Sequence, residues 1–479
     1  MADILFYIIS FFFLIYGLSL LSWYFAFIIL AKRSIKRNKR KEQFLEVEDI
    51  SSATDIPTVS LIAPAFNEGK TIVSNVKSLL SIQYPFYELI VVNDGSSDDS
   101  LEKLISTFEL ESQSIQFFTE SILTAEVRGL YKSKNPQYKQ ITVIDKANGG
   151  RADAINAGIN FASSELVLCT DADCIIEQDA ILKMVRPFLE ETNREVIASG
   201  AGIGIVNDSE IKNGILKQLK VPKSYLTRVQ VVEYIRAFLL GRMAWSRVNG
   251  LMLVSGAFGM FPRNRLVEVG GYDNKTVGED FELCVRMRKH MEDLNLPYKL
   301  VYIPETLCWT ESPSSWEIFA KQRDRWARGL WETLFNNREI TFNSKYGKMG
   351  RIYLPFWWIY EFGAPIIEFL GLIIIIVFSI FGWINWEITL LLFLFAYILG
   401  CIFSTTAIYM YTKNFPHYNK FSQVGKLLIA AYLEPFLFHP IMLFAQIKGY
   451  YKKIFKIESG WGTMTRKGFD DDEDEEKAT

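Results

Sequence analysis

Two aspartates stand one residue apart directly after an apolar run, in the stretch LVLCTDADCII at residues 166–176. The carboxylates of Asp171 and Asp173 would repel each other at the end of a buried strand, which is costly unless a cation is present. The chain has only three histidines, so oxygen ligands favour Mg²⁺ or Mn²⁺ here. Because Mg²⁺ usually completes its shell with water and substrate phosphate, the pair predicts a bound diphosphate. The alternative is the acidic first turn of a helix, ahead of EQDAILKMV at residues 177–185.

The elements that must position these aspartates are short and alternate along the chain. Three helical patterns, TIVSNVKSLLSI, SLEKLISTFEL and ADAINAGINFA, separate four runs rich in apolar residues. Almost continuous apolar strands that alternate with helices predict an α/β fold with a parallel, doubly wound sheet. The predicted strands are residues 58–66, 88–94, 140–145 and 165–171.

Each predicted strand carries its polar residues at its carboxyl end, in the stretches PAFNE, NDGSSDD, DKANGGR and TDAD. In open parallel sheets, ligands bind outside the carboxyl ends of the strands. We therefore expect six side chains to meet in one cleft: Asn67, Glu68, Asp94, Asp145, Lys146 and Asp171.

Several other classes of site are excluded by the residues present. NEGKT at 67–71 lacks the first glycine of a phosphate loop, and SGAGIGI at 199–205 lacks the spacing of a dinucleotide fingerprint. The five cysteines form no C-x-x-C pair, which argues against a zinc ribbon. A net charge of −2 gives no overall attraction to nucleic acid, so we expect no nucleic-acid partner.

An uncharged stretch near the N-terminus predicts a membrane anchor. Residues 4–31 carry no charge, which is long enough to cross a bilayer with tilt. The basic run KRSIKRNKRK at 32–41 follows, which places the C-terminal end of the anchor in the cytoplasm. We assign residues 1–31 to the anchor, 32–55 to a basic juxtamembrane linker and 56–340 to a cytoplasmic domain.

Apolar residues return in the last third of the chain. Residues 366–383 and 388–411 predict two spans, and the aromatic stretch before them predicts an interfacial helix over 341–365. Residues 424–449 contain Glu434, Pro435, His439 and Pro440 and either span the membrane or form an interfacial or re-entrant segment. We favour the second, because a span would put the basic tail KGYYKKIFKI outside, against the positive-inside rule. These helices occupy 366–450, and the acidic residues within 470–479 predict a disordered tail.

Seven motifs appear in a fixed order between about residue 56 and residue 335: APAFNE, VVNDGSSDDS, DKANGGRADAINAG, CTDADCII, SGAFGMFPRNRLVEVGGYD, GEDFEL and QRDRWARGL. Together they resemble the processive, membrane-bound inverting glycosyltransferases of family two. Hyaluronan, chitin, cellulose and poly-N-acetylglucosamine synthases belong to that group. The resemblance implies a nucleotide-sugar-binding domain of the GT-A type beside transmembrane helices.

The resemblance also implies roles for individual residues. Asn67, Glu68, Asp94, Asp145, Lys146, Arg151 and Asp171 would bind the donor, with Asp94 at the uracil or ribose end. Asp171 and Asp173 would hold the metal ion, Mg²⁺ or Mn²⁺. The GED motif makes Asp280 the expected general base, with Glu279 the alternative. Within Q-x-x-R-W, Gln322, Arg325 and Trp326 would serve the acceptor sugar and the departing diphosphate.

A further motif near the C-terminus, SGWGTMTRKGF at 459–469, resembles the gating loop of hyaluronan-type synthases. It implies that Trp461, Gly462 and Thr463 close over the bound nucleotide, within a segment at 451–469. Arg466 stands three residues past Thr463, whereas the family has its basic residue next to that position. The alternative for this segment is a basic juxtamembrane stretch with an interfacial tryptophan.

The function implied is transfer of a sugar from a UDP-sugar, with UDP-N-acetylglucosamine as first choice, to a growing β-linked polysaccharide. The expected location is the cytoplasmic membrane, with the catalytic domain in the cytoplasm. The few predicted spans suggest that a secretion channel would need a small membrane partner subunit or a second copy of the chain. The alternative function is a single transfer to a lipid-linked acceptor, and Q-x-x-R-W argues against it.

Overall fold

A computed structural model describes residues 2–42, 56–115, 117–118, 122–172, 174–212 and 214–457. They form two compact units. The sheet unit comprises residues 38–42, 56–220 and Leu251–Ser312. The helical unit comprises residues 2–37, Val221–Gly250 and 313–457.

The sheet unit is built on a sheet that has ten strands among the described residues, in the order β3-β4-β5-β2-β1-β6-β11-β8-β12-β7. A separate two-stranded sheet pairs β9 with β10. The strands are β1 (Val59–Ala65), β2 (Tyr87–Asp94), β3 (Leu110–Gln113), β4 (Val127–Ser133), β5 (Ile141–Lys146), β6 (Leu166–Thr170), β7 (Ile175–Ile176), β8 (Glu195–Ile205), β9 (Glu210–Lys212), β10 (Ile215–Gln218), β11 (Phe258–Pro262) and β12 (Tyr298–Thr310).

The four predicted strands are β1, β2, β5 and β6, and they are neighbours that run parallel in the order β5-β2-β1-β6. Their side chains are buried on both faces, as at Leu61, Ile62 and Ala63 of β1, which explains the continuous apolar pattern. The predicted fold class is therefore confirmed. The sheet is mixed rather than wholly parallel, because β11 runs antiparallel between β6 and β8.

The helices of the sheet unit connect and cover these strands. Helix Arg151–Phe161 packs on β1 and β2, and Ala180–Glu190 packs on β8 and β12. The unit also contains the helices Ile72–Leu80, Ser100–Thr107, Arg263–Glu268 and Glu279–Asp293, and the 3₁₀ turn Pro136–Tyr138.

The helical unit contains α-helices and short π- and 3₁₀-helical stretches. Its first helix, Ala2–Glu42, runs on without a break into residues of the sheet unit. The other α-helices are Tyr225–Tyr234, Met243–Arg247, Trp316–Asn336, Leu354–Phe356, Gly363–Ile380, Trp386–Asn414, Phe421–Leu437 and His439–Ile454. The π-helical stretches are Ile235–Arg242, Met349–Tyr353 and Trp357–Phe362, and the 3₁₀ turns are Arg338–Ile340 and Ser344–Tyr346.

Three helices in the described part of the chain are long and apolar enough to cross a membrane: Ile4–Arg40, Met349–Ile380 and Trp386–Asn414. Residues 349–365 of the predicted interfacial stretch therefore continue into the following span in one helical run. Helices Phe421–Leu437 and His439–Ile454 meet at a bend of 52° and together could form a fourth, broken span or a re-entrant loop. Whether residues 424–449 cross the membrane stays a prediction.

Candidate active site

The loops that follow β1 and β2 are tied together by the first two predicted donor-binding residues. The amide oxygen of Asn67 accepts a hydrogen bond from the backbone N–H of Ser97 at 2.8 Å. The N–H of Asn67 donates to Ser96 Oγ at 3.0 Å, and the N–H of Glu68 donates to Ser100 Oγ at 3.0 Å. Asn67 has φ of 55°, a left-handed conformation that Asn tolerates better than most residues. These contacts give Asn67 and Glu68 a structural task at the rim of the sheet.

Asp98 strengthens the same junction. Its Oδ2 accepts from the N–H of Gly69 at 2.9 Å, and its Oδ1 accepts from the N–H of Ser100 at 3.1 Å. Burial disfavours the charged carboxylate, but the hydrogen bonds from Ser100 and Gly69 outweigh it and hold the pKa of Asp98 below its ordinary value. Asp98 therefore holds the two loops together in its ionised form.

Asp94 and Lys146, at the ends of β2 and β5, belong to a buried charge cluster. Lys146 is 0% exposed, and its Nζ lies 2.6 Å from Asp94 Oδ1 and 2.6 Å from Asp153 Oδ1. The ammonium also donates to the carbonyl of Ala147 at 2.6 Å. The three charged groups thus pair with one another away from water, where a charge without a partner would be costly.

The loop that follows β5 closes around the carboxylate of Asp94. The N–H of Gly149 donates to its Oδ1 at 3.0 Å, and the N–H of Gly150 donates to its Oδ2 at 2.8 Å. Gly150 has φ of 86°, which favours glycine, and the helix begins at the next residue. Asp145 is turned toward β2, where its Oδ1 accepts from Asn93 Nδ2 at 2.7 Å.

Arg151, the first residue of that helix, connects the ends of three chain segments. Its Nε donates to Asp171 Oδ1 at 2.7 Å, its Nη1 lies 3.1 Å from Glu279 Oε1, and its Nη2 donates to the carbonyl of Gly256 at 2.7 Å. Burial disfavours the guanidinium charge, but Asp171 and Glu279 outweigh it, so the pKa of Arg151 lies above its ordinary value. Arg151 therefore remains a cation at the centre of the site.

The two acidic residues of the GED motif have different surroundings. Glu279 is buried and paired with Arg151, whereas Asp280 is only partly buried. Asp280 Oδ2 accepts from the N–H of Gly256 at 3.0 Å, and its Oδ1 accepts from the N–H of Phe281 at 2.9 Å. Arg151 and Gly256 thus bring Asp171 and Asp280 to the same rim of the sheet.

Asp171 directly follows β6, and its side chain is 27% exposed. The next helix begins only at Ala180, after β7, so Asp171 does not lie in a helical first turn. Among the residues that the structure describes, no group of three or more His, Cys, Asp or Glu side chains is arranged to hold a metal ion. Asp173, the second predicted metal ligand, lies outside the described residues.

Three further predicted residues lie in the helical unit, and three lie outside the described residues. Gln322, Arg325 and Trp326 lie on helix Trp316–Asn336 of the helical unit, where Gln322 is buried and Trp326 is exposed. Trp461, Gly462 and Thr463 of the predicted gating loop lie outside the described residues, as does the acidic tail. Their roles stay predictions.

Sequence reasoning missed three residues at this rim. Asp153 stands between alanines on a buried helix and was not singled out. The acidic residue seven positions after Lys146 in DKANGGRAD could have indicated a partner for that lysine. Gly256 acts through its backbone carbonyl and N–H, and such contacts cannot be recognised from the residue type. Phe66, in PAFNE, is 48% exposed beside Asn67, and its ring was not among the predicted site residues.

Two models of protein families match consecutive parts of the chain. Residues 60–122 match the family described as glycosyl transferase family 2, and residues 124–329 match the one described as glycosyltransferase like family 2. Together the two matches cover more than half of the chain and include every described site residue of the sheet unit. The chain belongs to glycosyltransferase family 2 and is a glycosyltransferase.

Two of the curated proteins that the chain resembles share one name with each other. The poly-beta-1,6-N-acetyl-D-glucosamine synthase of Staphylococcus epidermidis is 29% identical over 295 residues, 62% of this chain and 60% of the relative. That of Staphylococcus aureus strain COL is 28% identical over 316 residues, 65% of this chain and 63% of the relative. The matched part thus spans less than two thirds of these relatives.

Solved structures resemble the chain more distantly. A mannosyltransferase from Pyrobaculum calidifontis, in complex with GDP-Man and Mn²⁺, is 15% identical, with a TM-score of 0.45, over 92% of this chain and 100% of that one. Residues 1–349 of TarS from S. aureus are 16% identical, with a TM-score of 0.33, over 57% of this chain and 65% of that one.

Proposed function

We propose that this glycosyltransferase transfers a sugar from a UDP-sugar, with UDP-N-acetylglucosamine as first candidate, to a growing β-linked polysaccharide. The names of the staphylococcal relatives support the sugar and the polymeric product. The observation that carries the proposal is the contact of Arg151 with Asp171, Glu279 and the carbonyl of Gly256. This contact joins the aspartate expected at the diphosphate to the segment that carries the expected base.

In this proposal Asp280 is the general base that takes the proton from the acceptor hydroxyl. Inversion at the anomeric carbon requires one base on the side of the acceptor, and such a group contributes roughly 10²–10⁴-fold to the rate. Asp280 suits the role better than Glu279, because Glu279 is buried and neutralised by Arg151. The hydrogen bonds from Gly256 and Phe281 would orient the Asp280 carboxylate.

A divalent cation, Mg²⁺ or Mn²⁺, is part of the proposal. The carboxylate of Asp171 is partly exposed at the strand end, and one or two carboxylates are the usual protein share of a Mg²⁺ site. Asp171 and Asp173 would hold the ion, which would neutralise charge on the leaving diphosphate. Carboxylate oxygens such as those of Asp171 are the ligands that a hard cation prefers, although Asp171 Oδ1 also accepts from Arg151 Nε.

Asp94 and Lys146 act on the donor indirectly in this proposal. Both oxygens of Asp94 are engaged by Lys146 and by the amides of Gly149 and Gly150, so the cluster would shape the loop against which the nucleotide lies. Asn67 and Glu68 would do the same for the loops after β1 and β2. Phe66 offers an exposed ring for stacking beside them.

Gln322, Arg325 and Trp326 would serve the acceptor and the departing UDP, and Trp461, Gly462 and Thr463 would close over the nucleotide. The apolar helices would place the enzyme in the cytoplasmic membrane, with the basic residues at the C-terminal end of the first helix on the cytoplasmic side. Secretion of the product, with a small membrane partner or a second copy, is also part of the proposal.

The test is turnover by the purified full chain in proteoliposomes. UDP release is measured against UDP-N-acetylglucosamine, UDP-glucose and other nucleotide-sugars, and the product from a labelled donor is sized. We expect turnover that EDTA abolishes and Mg²⁺ or Mn²⁺ restores, with products of many sugars. A product that carries one added sugar would contradict polymerisation, and the absence of turnover with any UDP-sugar would overturn the proposal.

A further inference from the structure

The guanidinium of Arg323, between the named positions of the Q-x-x-R-W motif, is enclosed by two aromatic rings of its own helix. Its Cζ lies 4.7 Å from the ring centroid of Phe319 and 4.2 Å from that of Trp326. These residues stand four before and three after Arg323, so all three share one helix face. Arg323 is 3% exposed, whereas Trp326 is 41% exposed.

A second helix of the helical unit fixes the plane of this guanidinium. Glu233, on helix Tyr225–Tyr234, accepts from Arg323 Nη1 and Nη2 at 2.7 Å each. A bidentate pair of this kind sets the orientation of the guanidinium as well as its position. Below it, Phe319 is fully buried in a cluster with Leu226, Val229, Ala430 and Phe438. The lower side of the stack is therefore held by the core of the unit.

We propose that Arg323 and Glu233 are positioning residues for the acceptor saccharide, which act by fixing the ring of Trp326. This inference rests on the proposed function, which places Trp326 against the acceptor sugar. Because one face of the Trp326 indole lies against a rigid cation, the orientation of its other face is fixed. A sugar can then stack on that face without first ordering the side chain. The entropy of fixing the ring is then lost during folding rather than during each binding event.

Arginine is the residue type that this position requires. Its planar guanidinium forms the fork with Glu233 and stacks on an aromatic face at the same time. Lysine would keep the charge beside Glu233 but offers a compact ammonium without a plane. Arg323→Lys is therefore a substitution that preserves the ion pair and removes the platform.

The neighbouring buried pair on the same helix provides a matched control. Arg328 donates from Nε to Asp324 Oδ1 at 2.9 Å, and Asp324 is also bonded to Lys452 on helix His439–Ile454. Arg328→Lys is thus a second arginine-to-lysine change at a buried ion pair of helix Trp316–Asn336. The effect of R328K on stability and activity shows what an altered buried ion pair on this helix does by itself.

The experiment uses the full chain in proteoliposomes with a short N-acetylglucosamine oligosaccharide as acceptor. We expect R323K to raise the acceptor concentration needed for half-maximal rate about tenfold and to shorten the product, because a displaced positioning group is costly. The half-maximal UDP-sugar concentration and the Kd of UDP should stay within about twofold, since binding of the donor does not depend on Trp326 in this proposal. R328K should lower the melting temperature without a change in acceptor requirement.

Equal effects of R323K and R328K, or equal shifts for donor and acceptor in R323K, would overturn the positioning role. Should R323K fold poorly, Glu233→Asp keeps the charge, draws the carboxylate back from the fork and is expected to give the same acceptor-specific defect.

Trp326→Ala distinguishes failure of the positioning role from failure of the proposed acceptor role of Trp326. If it impairs acceptor use while R323K and E233D do not, the positioning role alone fails. If W326A itself leaves acceptor use unchanged, the proposed acceptor role of Trp326 fails, and the positioning role fails with it.

Discussion

The Nε atom of Arg151 lies 2.7 Å from Oδ1 of Asp171, so the first residue of a helix neutralises the carboxylate at the end of a neighbouring strand. The same guanidinium holds Glu279 and the carbonyl of Gly256. Asp171 and Asp280 are far apart in sequence, and Arg151 is the side chain that links their surroundings.

Replacement of Arg151 by lysine should lower the rate of UDP release about 100-fold, because a single ammonium cannot reproduce the three contacts of the guanidinium. Initial rates at saturating donor measure this. Arg265→Lys is the control, since Arg265 forms a two-point contact with Glu195 at 2.7 Å for each bond, away from the site. A comparable loss in R265K would contradict a specific role of Arg151.

Asp280→Asn should reduce turnover by about 10²–10⁴-fold while the Kd of UDP stays unchanged, because the amide cannot accept the proton but keeps the shape of the side chain. Calorimetry with UDP and initial rates give the two readouts. Glu279→Gln should chiefly lower the melting temperature, since it removes a buried partner of Arg151. Normal turnover in D280N would assign the base to another residue.

Lys146→Met should destabilise the full chain by about 3–5 kcal/mol, because it leaves the buried carboxylates of Asp94 and Asp153 without their cation. Denaturant unfolding in detergent measures the change. Lys183→Met is the matched control, because Lys183 also bridges two carboxylates, Asp179 at 2.8 Å and Glu305 at 2.5 Å, but is more exposed. If K146M kept its stability and lost UDP binding, Lys146 would be a direct donor contact.

The stabilising effect of Asp98 should depend on pH in the acidic range. Its pKa is lowered in the folded chain, so its contribution is fully present above the ordinary value of about 3.9 and is lost as the pH falls through the lower folded value. The melting temperature of D98N should therefore lie below that of the unchanged chain between about pH 5 and pH 8, and the difference should shrink below about pH 4. A difference that stayed constant across this range would argue against ionised Asp98 as the clamp on Gly69 and Ser100.

The four central strands could be predicted from the sequence because burial on both faces leaves a local signature of consecutive apolar residues. Predicted boundaries for β1, β2, β5 and β6 differ from the observed ones by at most one residue at each end. The polar residues at their carboxyl ends, including Asp94 and Asp171, could be placed at one rim for the same reason.

Strand β8 could not be recognised in this way. Its stretch SGAGIGI was considered only as a dinucleotide fingerprint and rejected as one, yet Glu195–Ile205 is a buried strand. A Cβ at Gly204 would lie 2.2 Å from the indole of Trp309 on β12, so a long-range contact determines the glycine. Local propensity disfavours strand at such residues, and tertiary packing overrides it.

The amino-acid sequence by itself determined which kinds of chemistry are available. It supplies carboxylates at strand ends, a family pattern of ordered motifs, and apolar stretches long enough to cross a membrane. Only the tertiary structure decided which charges meet. Lys146 is enclosed between Asp94 and Asp153, and Arg151 reaches Asp171 and Glu279, because sheet order and helix packing bring together residues that are distant in sequence. A residue type defines what a side chain can donate or accept, but its partner depends on distances that exist only after folding.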